Sequence, residues 1–180
     1  MWKKIALFIT SKPPVARRLL KERGNLTPVD GPGDCKFVAL EYYGLIFNRT
    51  YLVTIVNGYL CGAVTGGLLA SGRKPNNPDW YLNQENLKRC RDSGIGSNSF
   101  LELNKNNFRI GRGELTAIEF DDTAKWGMGA VPYSGRLHFK FSDDSSREFI
   151  LLGYQDGEKL KQNLIECGFG RQTREHHSLV

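Results

Sequence analysis

Residues 51–72, YLVTIVNGYLCGAVTGGLLASG, form the least polar stretch of the chain, and no charge lies between Arg49 and Arg73. A stretch of this length is long enough to cross a hydrocarbon core of about 30 Å as a helix. Asn57-Gly58, however, separates two runs rich in β-branched and aromatic residues, and both residues tolerate the positive φ that a tight β-turn requires. The stretch therefore predicts two buried strands joined by a hairpin turn, and a single membrane span is the alternative.

The rest of the chain contains further short strand candidates. Leu137, Phe139 and Phe141 alternate with polar residues, as in a half-solvated antiparallel pair. The other candidates are CKFVALEYYGLIF, bent at Gly44, and then SFLEL, NFRIG, ELTAIEFDD and the strand ending in REFILLG. Together with the hairpin they predict about seven strands and a mainly β (α+β) fold.

The pattern changes to a helical period near the end of the chain. Leu160, Leu164 and Cys167 are spaced i, i+4 and i+7, which predicts an amphipathic helix over about 155–167. A helix with one apolar face can cover the open corner of a bent antiparallel sheet. Residues 169–180 are predicted to be a polar tail.

Charge is concentrated at the amino terminus. Residues 1–24 carry a net charge of +6, which equals that of the whole chain, so the remainder is neutral overall. Such a basic segment suits an anionic partner, but VARRLLKERG also has helical spacing, so its charges could be the solvated face of a docked helix. We expect a basic helix within residues 1–35. The candidate anionic-surface residues are Lys3, Lys4, Arg17, Arg18, Lys21 and Arg23.

Four phrases give the chain a resemblance to the bacterial pleckstrin-homology-like and GRAM-like barrels. They are YLVTIVNGYLCG, FLELNKNNFRIGRGELTAIEFDD, GRLHFKFSDDSSREFILL and GEKLKQNLIECG. The resemblance covers roughly residues 36–168, with an insertion at about 71–98 that holds a helical candidate from Asn83 to Arg91. It implies a bent antiparallel barrel with a C-terminal capping helix that binds or scaffolds, is often membrane-associated and has no catalytic residues. Its eukaryotic relatives bind phosphoinositides through basic residues between the first two strands, where this chain has Arg49.

The loop KWGMGAVPYSG at 125–135 is a possible contact loop, with Trp126, Met128 and Tyr133 among three glycines. Exposed aromatic and methionine side chains suit an adaptable contact surface or insertion into a membrane interface. The alternative is that Trp126 and Met128 plug the end of the barrel.

No motif predicts catalysis or a cofactor. The cysteines form no C-x-x-C pair, and the adjacent histidines His176 and His177 have no nearby third ligand for a metal. We therefore expect a non-catalytic module of the cytoplasm, recruited to the anionic inner face of the membrane or to an acidic protein partner. The alternatives are a protein-interaction domain with no lipid role, a nucleic-acid-binding protein and a single-span membrane protein.

Overall fold

The computed structural model of the chain describes residues 35–43, 47–67 and 76–170. Within these ranges seven strands form one antiparallel sheet, so the mainly β prediction is confirmed. The strands are β1 (Lys36–Tyr43), β2 (Phe47–Val56), β3 (Tyr59–Gly67), β4 (Phe108–Ile110), β5 (Leu115–Asp121), β6 (Tyr133–Phe141) and β7 (Ser146–Leu152). The α-helices are α1 (Gln84–Asp92), α2 (Asn98–Leu103) and α3 (Gly157–Glu166), and 3-10 turns occur at Pro78–Tyr81 and Arg112–Glu114.

The strand order in the sheet is β4-β3-β2-β1-β7-β6-β5. The first four strands and the last three thus form two runs of sequential neighbours, joined where β1 pairs with β7. This junction is short: Ala39 lies opposite Leu151, and Leu40 lies opposite Ile150.

The sheet is strongly bent. Strands β4 and β7 are four positions apart, so in a flat sheet they would be about 19 Å apart at the usual spacing of about 4.8 Å. Yet the ring centroids of Phe108 on β4 and Phe149 on β7 are 5.8 Å apart. Phe149 also contacts Phe37, Tyr51 and Phe139, at centroid distances of 6.4, 5.9 and 5.1 Å. These aromatic rings therefore mark the concave inner face, where the main core lies.

The hairpin prediction is confirmed, and the single-helix alternative for this stretch is wrong. Val56 lies opposite Tyr59, and the two turn residues Asn57 and Gly58 have φ of 50° and 79°. About half of the residues in each strand are buried, which explains the low polarity of this stretch. In the described ranges, no helix has the length and apolar character needed to span a membrane.

Helix α3 covers the inner face near the start of β1. The Asp156 side chain accepts a hydrogen bond from the backbone N–H of Lys159, which caps the helix. Leu160 and Leu164 are buried in the main core, as their spacing predicted. Phe169, which the sequence placed in the polar tail, is also completely buried in this core. The packed structure therefore continues past residue 168.

The described part of the insertion packs on the outer face of the sheet. Helix α1 confirms the helical candidate at Asn83–Arg91, and Leu87 and Cys90 contribute to a second buried cluster with Leu52 and Ala63. The SFLEL segment is helix α2, so its prediction as a strand is wrong. Its apolar residues are too few to fix a period, whereas the Ser97 hydroxyl accepts a hydrogen bond from the backbone N–H of Phe100 and starts a helix.

Some predictions lie outside the described residues. They include the basic helix, the six basic residues at positions 3–23, the bend at Gly44, and the tail beyond residue 170.

Candidate binding site at the arginine end of the sheet

An ion cluster occupies the end of the sheet where β1 ends and β2 begins. The hairpin register places Glu41 directly opposite Arg49, and the pairing of β1 with β7 brings Arg147 to the same end. Arg147 donates from Nε and Nη2 to the two carboxylate oxygens of Glu41 at 2.7 and 2.9 Å. Arg49 lies farther away, with 3.9 Å between its Nη1 and Glu41 Oε2. The trio therefore has a net charge of +1, and Glu41 is neutralised by Arg147. We call this region the arginine end.

Aromatic rings of the inner face contact the guanidinium of Arg147. The Arg147 guanidinium carbon lies 4.2 Å from the ring centroid of Phe108 and 4.8 Å from that of Phe149. Such cation-π contacts stabilise a partly desolvated arginine. Burial raises the pKa of the Tyr51 hydroxyl, and the charge of nearby Glu41 adds to the rise. Tyr51 is thus a neutral hydroxyl here, and it donates a hydrogen bond to the carbonyl of Asn106 at 3.3 Å.

Two exposed aromatic residues extend this end. The Arg49 guanidinium carbon lies 3.6 Å from the centroid of the Tyr43 ring, and Phe47 stacks on the same ring with a centroid distance of 5.8 Å. Tyr43 and Phe47 are both more than two-fifths exposed. The stack fixes the direction of the Arg49 side chain without neutralising its charge.

A cleft of about 330 Å³ adjoins Arg49, and we call it the arginine cleft. Its cations are Arg49 and Arg89, and among the described residues that line it there is no carboxylate. The amide side chains in its wall are Asn48, Asn86, Asn104 and Asn106, and its apolar or thiol side chains are Tyr43, Val64, Cys90 and Leu103.

Hydrogen bonds to the edge of β3 hold the cleft together. Strand β4 pairs only with residues 60–62 of β3, and asparagine side chains take over farther along that edge. Asn107 Oδ1 accepts from the backbone N–H of Val64 at 2.9 Å, while its Nδ2 donates to the carbonyl of Phe100 at 2.7 Å. Asn86 Nδ2 donates to the carbonyl of Thr65 at 3.3 Å, where a β-bulge interrupts the pairing with β2. Helices α1 and α2 are therefore fixed to the strand that forms the cleft floor.

The loop at 125–135 presents Trp126 to solvent. Trp126 is 96% exposed, whereas Met128 is buried and its Sδ accepts a hydrogen bond from the Tyr42 hydroxyl at 3.6 Å. The backbone N–H of Lys125 donates to the Tyr133 hydroxyl at 2.5 Å, and Lys125 Nζ pairs with Glu148 at 2.5 Å. Of the predicted contact residues, Met128 and Tyr133 therefore anchor the loop, and Trp126 is the one available for contact.

The Trp126 loop and the arginine cleft are neighbours. A smaller hollow of about 80 Å³ is lined by Gly127, Met128 and Tyr42, and it shares Asn48 with the arginine cleft. Trp126, Tyr43 and Phe47 therefore lie at the same end of the sheet as the two arginines. Trp80, 51% exposed, lies at the opposite end, next to the ion pair of Asp79 with Lys36 at the start of β1.

Other side chains that could take part in catalysis or metal binding are paired or buried. His138 Nε2 lies 3.9 Å from Asp121 and 3.8 Å from Glu148, and Arg136 pairs with both carboxylates. In residues 35–43, 47–67 and 76–170, no group of three or more His, Cys, Asp or Glu residues is arranged to hold a metal. Burial raises the pKa of Cys35 to about 12 and that of Cys61 to about 11, so both thiols are protonated at neutral pH.

Sequence reasoning missed most of the arginine end and of the cleft beside it. Glu41 could have been placed opposite Arg49 by counting residues along the predicted strands. Arg89 and Arg147 gave no local signal, because their positions depend on helix and strand packing across long separations in sequence.

No family model matches this chain, and neither a curated protein nor a solved structure matches it.

Proposed function

We propose that the chain is a non-catalytic binding module, recruited to an anionic membrane surface through Trp126 and its basic amino-terminal segment. The observation that carries this proposal is the 96% exposure of Trp126 on a loop anchored by buried Met128. Tryptophan side chains are usually buried or partnered, and they are enriched at membrane interfaces, where the indole has one apolar and one polar part. A fixed loop that presents a single indole is suited to interfacial insertion.

The charge distribution supports the same function. Residues 1–24 carry all of the net charge of the chain. A basic residue near an anionic bilayer contributes about 1 kcal/mol, so Lys3, Lys4, Arg17 and Arg18 together with one inserted indole would give reversible, salt-sensitive binding. Neither contribution is sufficient alone.

The scaffold we propose is a pleckstrin-homology-like barrel. The antiparallel order β4-β3-β2-β1-β7-β6-β5, the strong bend and the final helix over the inner face fit the barrel that the resemblance implies. Helices α1 and α2 on the outer face depart from that compact pattern. A binding role also fits the protonated, buried thiols of Cys35 and Cys61, which are poor nucleophiles in this state.

Vesicle co-sedimentation tests the proposal. We expect the parent protein to sediment with vesicles that contain phosphatidylglycerol, to bind less at physiological salt than at low salt, and to ignore neutral vesicles. Trp126→Ala and the joint change of Lys3, Lys4, Arg17 and Arg18 to Gln should each weaken binding. Trp80→Ala, which removes an exposed indole from the opposite end, is the matched control and should bind as the parent does.

Two outcomes would contradict membrane recruitment. One is a parent protein that does not sediment with anionic vesicles at low salt. The other is that both variants bind as well as the parent. In either case the acidic protein partner becomes the better interpretation of the basic segment.

A further inference from the structure

We propose that the arginine cleft binds a short acidic peptide segment whose carboxylate pairs with Arg49 and Arg89. This inference goes beyond recruitment to a membrane and does not depend on it, because it concerns a separate group of residues and a soluble ligand. The module would then hold a peptide of a partner protein beside the surface to which it is recruited.

The positive charges of Arg49 and Arg89 are not neutralised by a close carboxylate among the described residues. Arg147 occupies both oxygens of Glu41 at 2.7 and 2.9 Å, so Arg49, at 3.9 Å, is the second cation on a carboxylate that is already paired. On α1, the neighbouring Lys88 pairs with Asp92 at 2.6 Å. For Arg89 itself, no carboxylate oxygen lies within 4 Å in the part of the chain that the structure describes. A carboxylate from outside could thus pair with both arginines, and among the described residues the one ion pair with which it would compete is the 3.9 Å contact of Arg49 with Glu41.

The amide lining favours a peptide over a phosphate or a lipid headgroup. Four asparagines line the cleft. Asn86 Nδ2 donates to the carbonyl of Thr65 and Asn106 Nδ2 donates to Asn104 Oδ1, but a side-chain amide has two donor and two acceptor positions, more than these contacts use. A peptide group likewise offers one donor and one acceptor, whereas phosphate oxygens at neutral pH mainly accept. An amide-rich wall therefore complements a peptide backbone, and the arginines complement its acidic side chain or terminal carboxylate.

The size and rigidity of the cleft suit a short segment. Its volume of about 330 Å³ lies at the small end of the range for ligand pockets, which is too small for a folded surface. Tyr43 and Leu103 supply apolar contacts at its edges. The hydrogen bonds of Asn86 and Asn107 to β3 hold the walls in place before a ligand arrives, which lowers the entropic cost of binding.

Selection from a display library of random heptapeptides tests the inference without lipid. The parent protein should select peptides enriched in Asp and Glu, and a synthetic peptide of the selected sequence should shift the backbone amide resonances of residues around Arg49 and Arg89. Arg89→Gln should weaken that peptide about tenfold, as expected for the loss of one charge-assisted contact. Arg89 is exposed on α1, so this variant tests the site even if Arg49→Gln fails to fold.

Two controls separate the cleft from general electrostatic attraction. Arg91→Gln removes the same charge from the same helix at an exposed residue that does not line the cleft, and it should leave peptide affinity unchanged. The joint Gln variant of Lys3, Lys4, Arg17 and Arg18 should also retain it.

The inference is overturned if the selected peptides are not enriched in acidic residues, or if Arg89→Gln binds them as well as the parent. It is also overturned if glycerol 3-phosphate, but no selected peptide, shifts the cleft resonances, since the ligand would then be a phosphate. Because no vesicle is present, this result and the vesicle result can each fail while the other stands.

Discussion

The two ends of the sheet are built from different kinds of side chain. Near the start of β1, Leu160, Leu164 and Phe169 are fully buried and close the inner face with apolar contacts. At the arginine end, charged side chains take the place of these apolar contacts, and Arg49 stacks on the exposed ring of Tyr43. Burial of apolar surface is the main source of stability, whereas exposed aromatic residues and unneutralised arginines contribute little to it. We infer that the end covered by α3, which we call the capped end, maintains the fold, and we propose that the arginine end is the one that binds.

The largest expected effect is at the capped end. Leu164→Asp places an unpaired charge in the main core, so we expect the free energy of unfolding to fall by about 4 kcal/mol or more. Leu103→Asp makes the same chemical change at the partly exposed edge of the arginine cleft, and we expect a loss below about 1 kcal/mol. Urea denaturation followed by circular dichroism measures both. Equal losses of stability would contradict the claim that the capped end stabilises the fold more than the arginine end does.

An intermediate effect is expected where the arginine end joins the core. Glu41→Gln removes the carboxylate that pairs with Arg147, whose guanidinium also contacts the ring of Phe108. We expect the free energy of unfolding to fall by about 2 kcal/mol, which lies between the values for exposed and buried ion pairs. Glu119→Gln is the matched control, because Glu119 pairs with Lys140 on the exposed side of the sheet. If the two variants lose the same stability in urea denaturation, the Glu41 cluster is only a surface ion pair.

A smaller effect than that of Glu41→Gln is expected from alkaline pH. Burial raises the pKa of Cys35 from its ordinary value of 9.0 to about 12, so between these values the unfolded chain releases a proton that the folded chain retains. Stability from this thiol is therefore complete below pH 9 and is lost as the pH rises toward 12. From pH 9 to pH 10 we expect Cys35 to account for about 1 kcal/mol of the fall in the free energy of unfolding, in addition to the fall caused by Cys61, whose pKa burial raises to about 11.

Cys35→Ala tests whether Cys35 causes this alkaline loss. The quantity to compare is the slope of the free energy of unfolding against pH, because the substitution also lowers the absolute stability by removing a buried group. The slope between pH 9 and pH 10 should be shallower in the variant. An unchanged slope would show that Cys35 does not cause the alkaline loss.

The sequence predicted the elements whose signals are local. Asn57-Gly58 specified the hairpin because its backbone tolerates the turn, and the spacing of Leu160 and Leu164 specified the buried face of α3. SFLEL is too short to show a clear period, so its composition favours a strand, whereas the hydrogen bond from the backbone N–H of Phe100 to the Ser97 hydroxyl starts a helix there.

The arginine end could not be predicted to the same extent. Arg147 is 106 residues from Glu41 in sequence, and Arg89 reaches the cleft only because α1 packs on β3. Trp126 was identified from the composition of its loop, but its exposure depends on Met128 being the residue that fills the outer cluster. The contribution of Lys3, Lys4, Arg17 and Arg18 stays a prediction, since they lie outside the described residues.

The fluorescence of Trp126 reports directly on whether this side chain enters a membrane interface. The chain has three tryptophans, so changing Trp2 and Trp80 to Phe leaves Trp126 as the single reporter. We expect its emission to be that of a water-exposed indole in buffer, to shift to shorter wavelength on addition of phosphatidylglycerol vesicles, and to be quenched by brominated lipid. Emission that stays unchanged at vesicle concentrations that sediment the protein would contradict the claim that Trp126 at the arginine end enters the membrane interface.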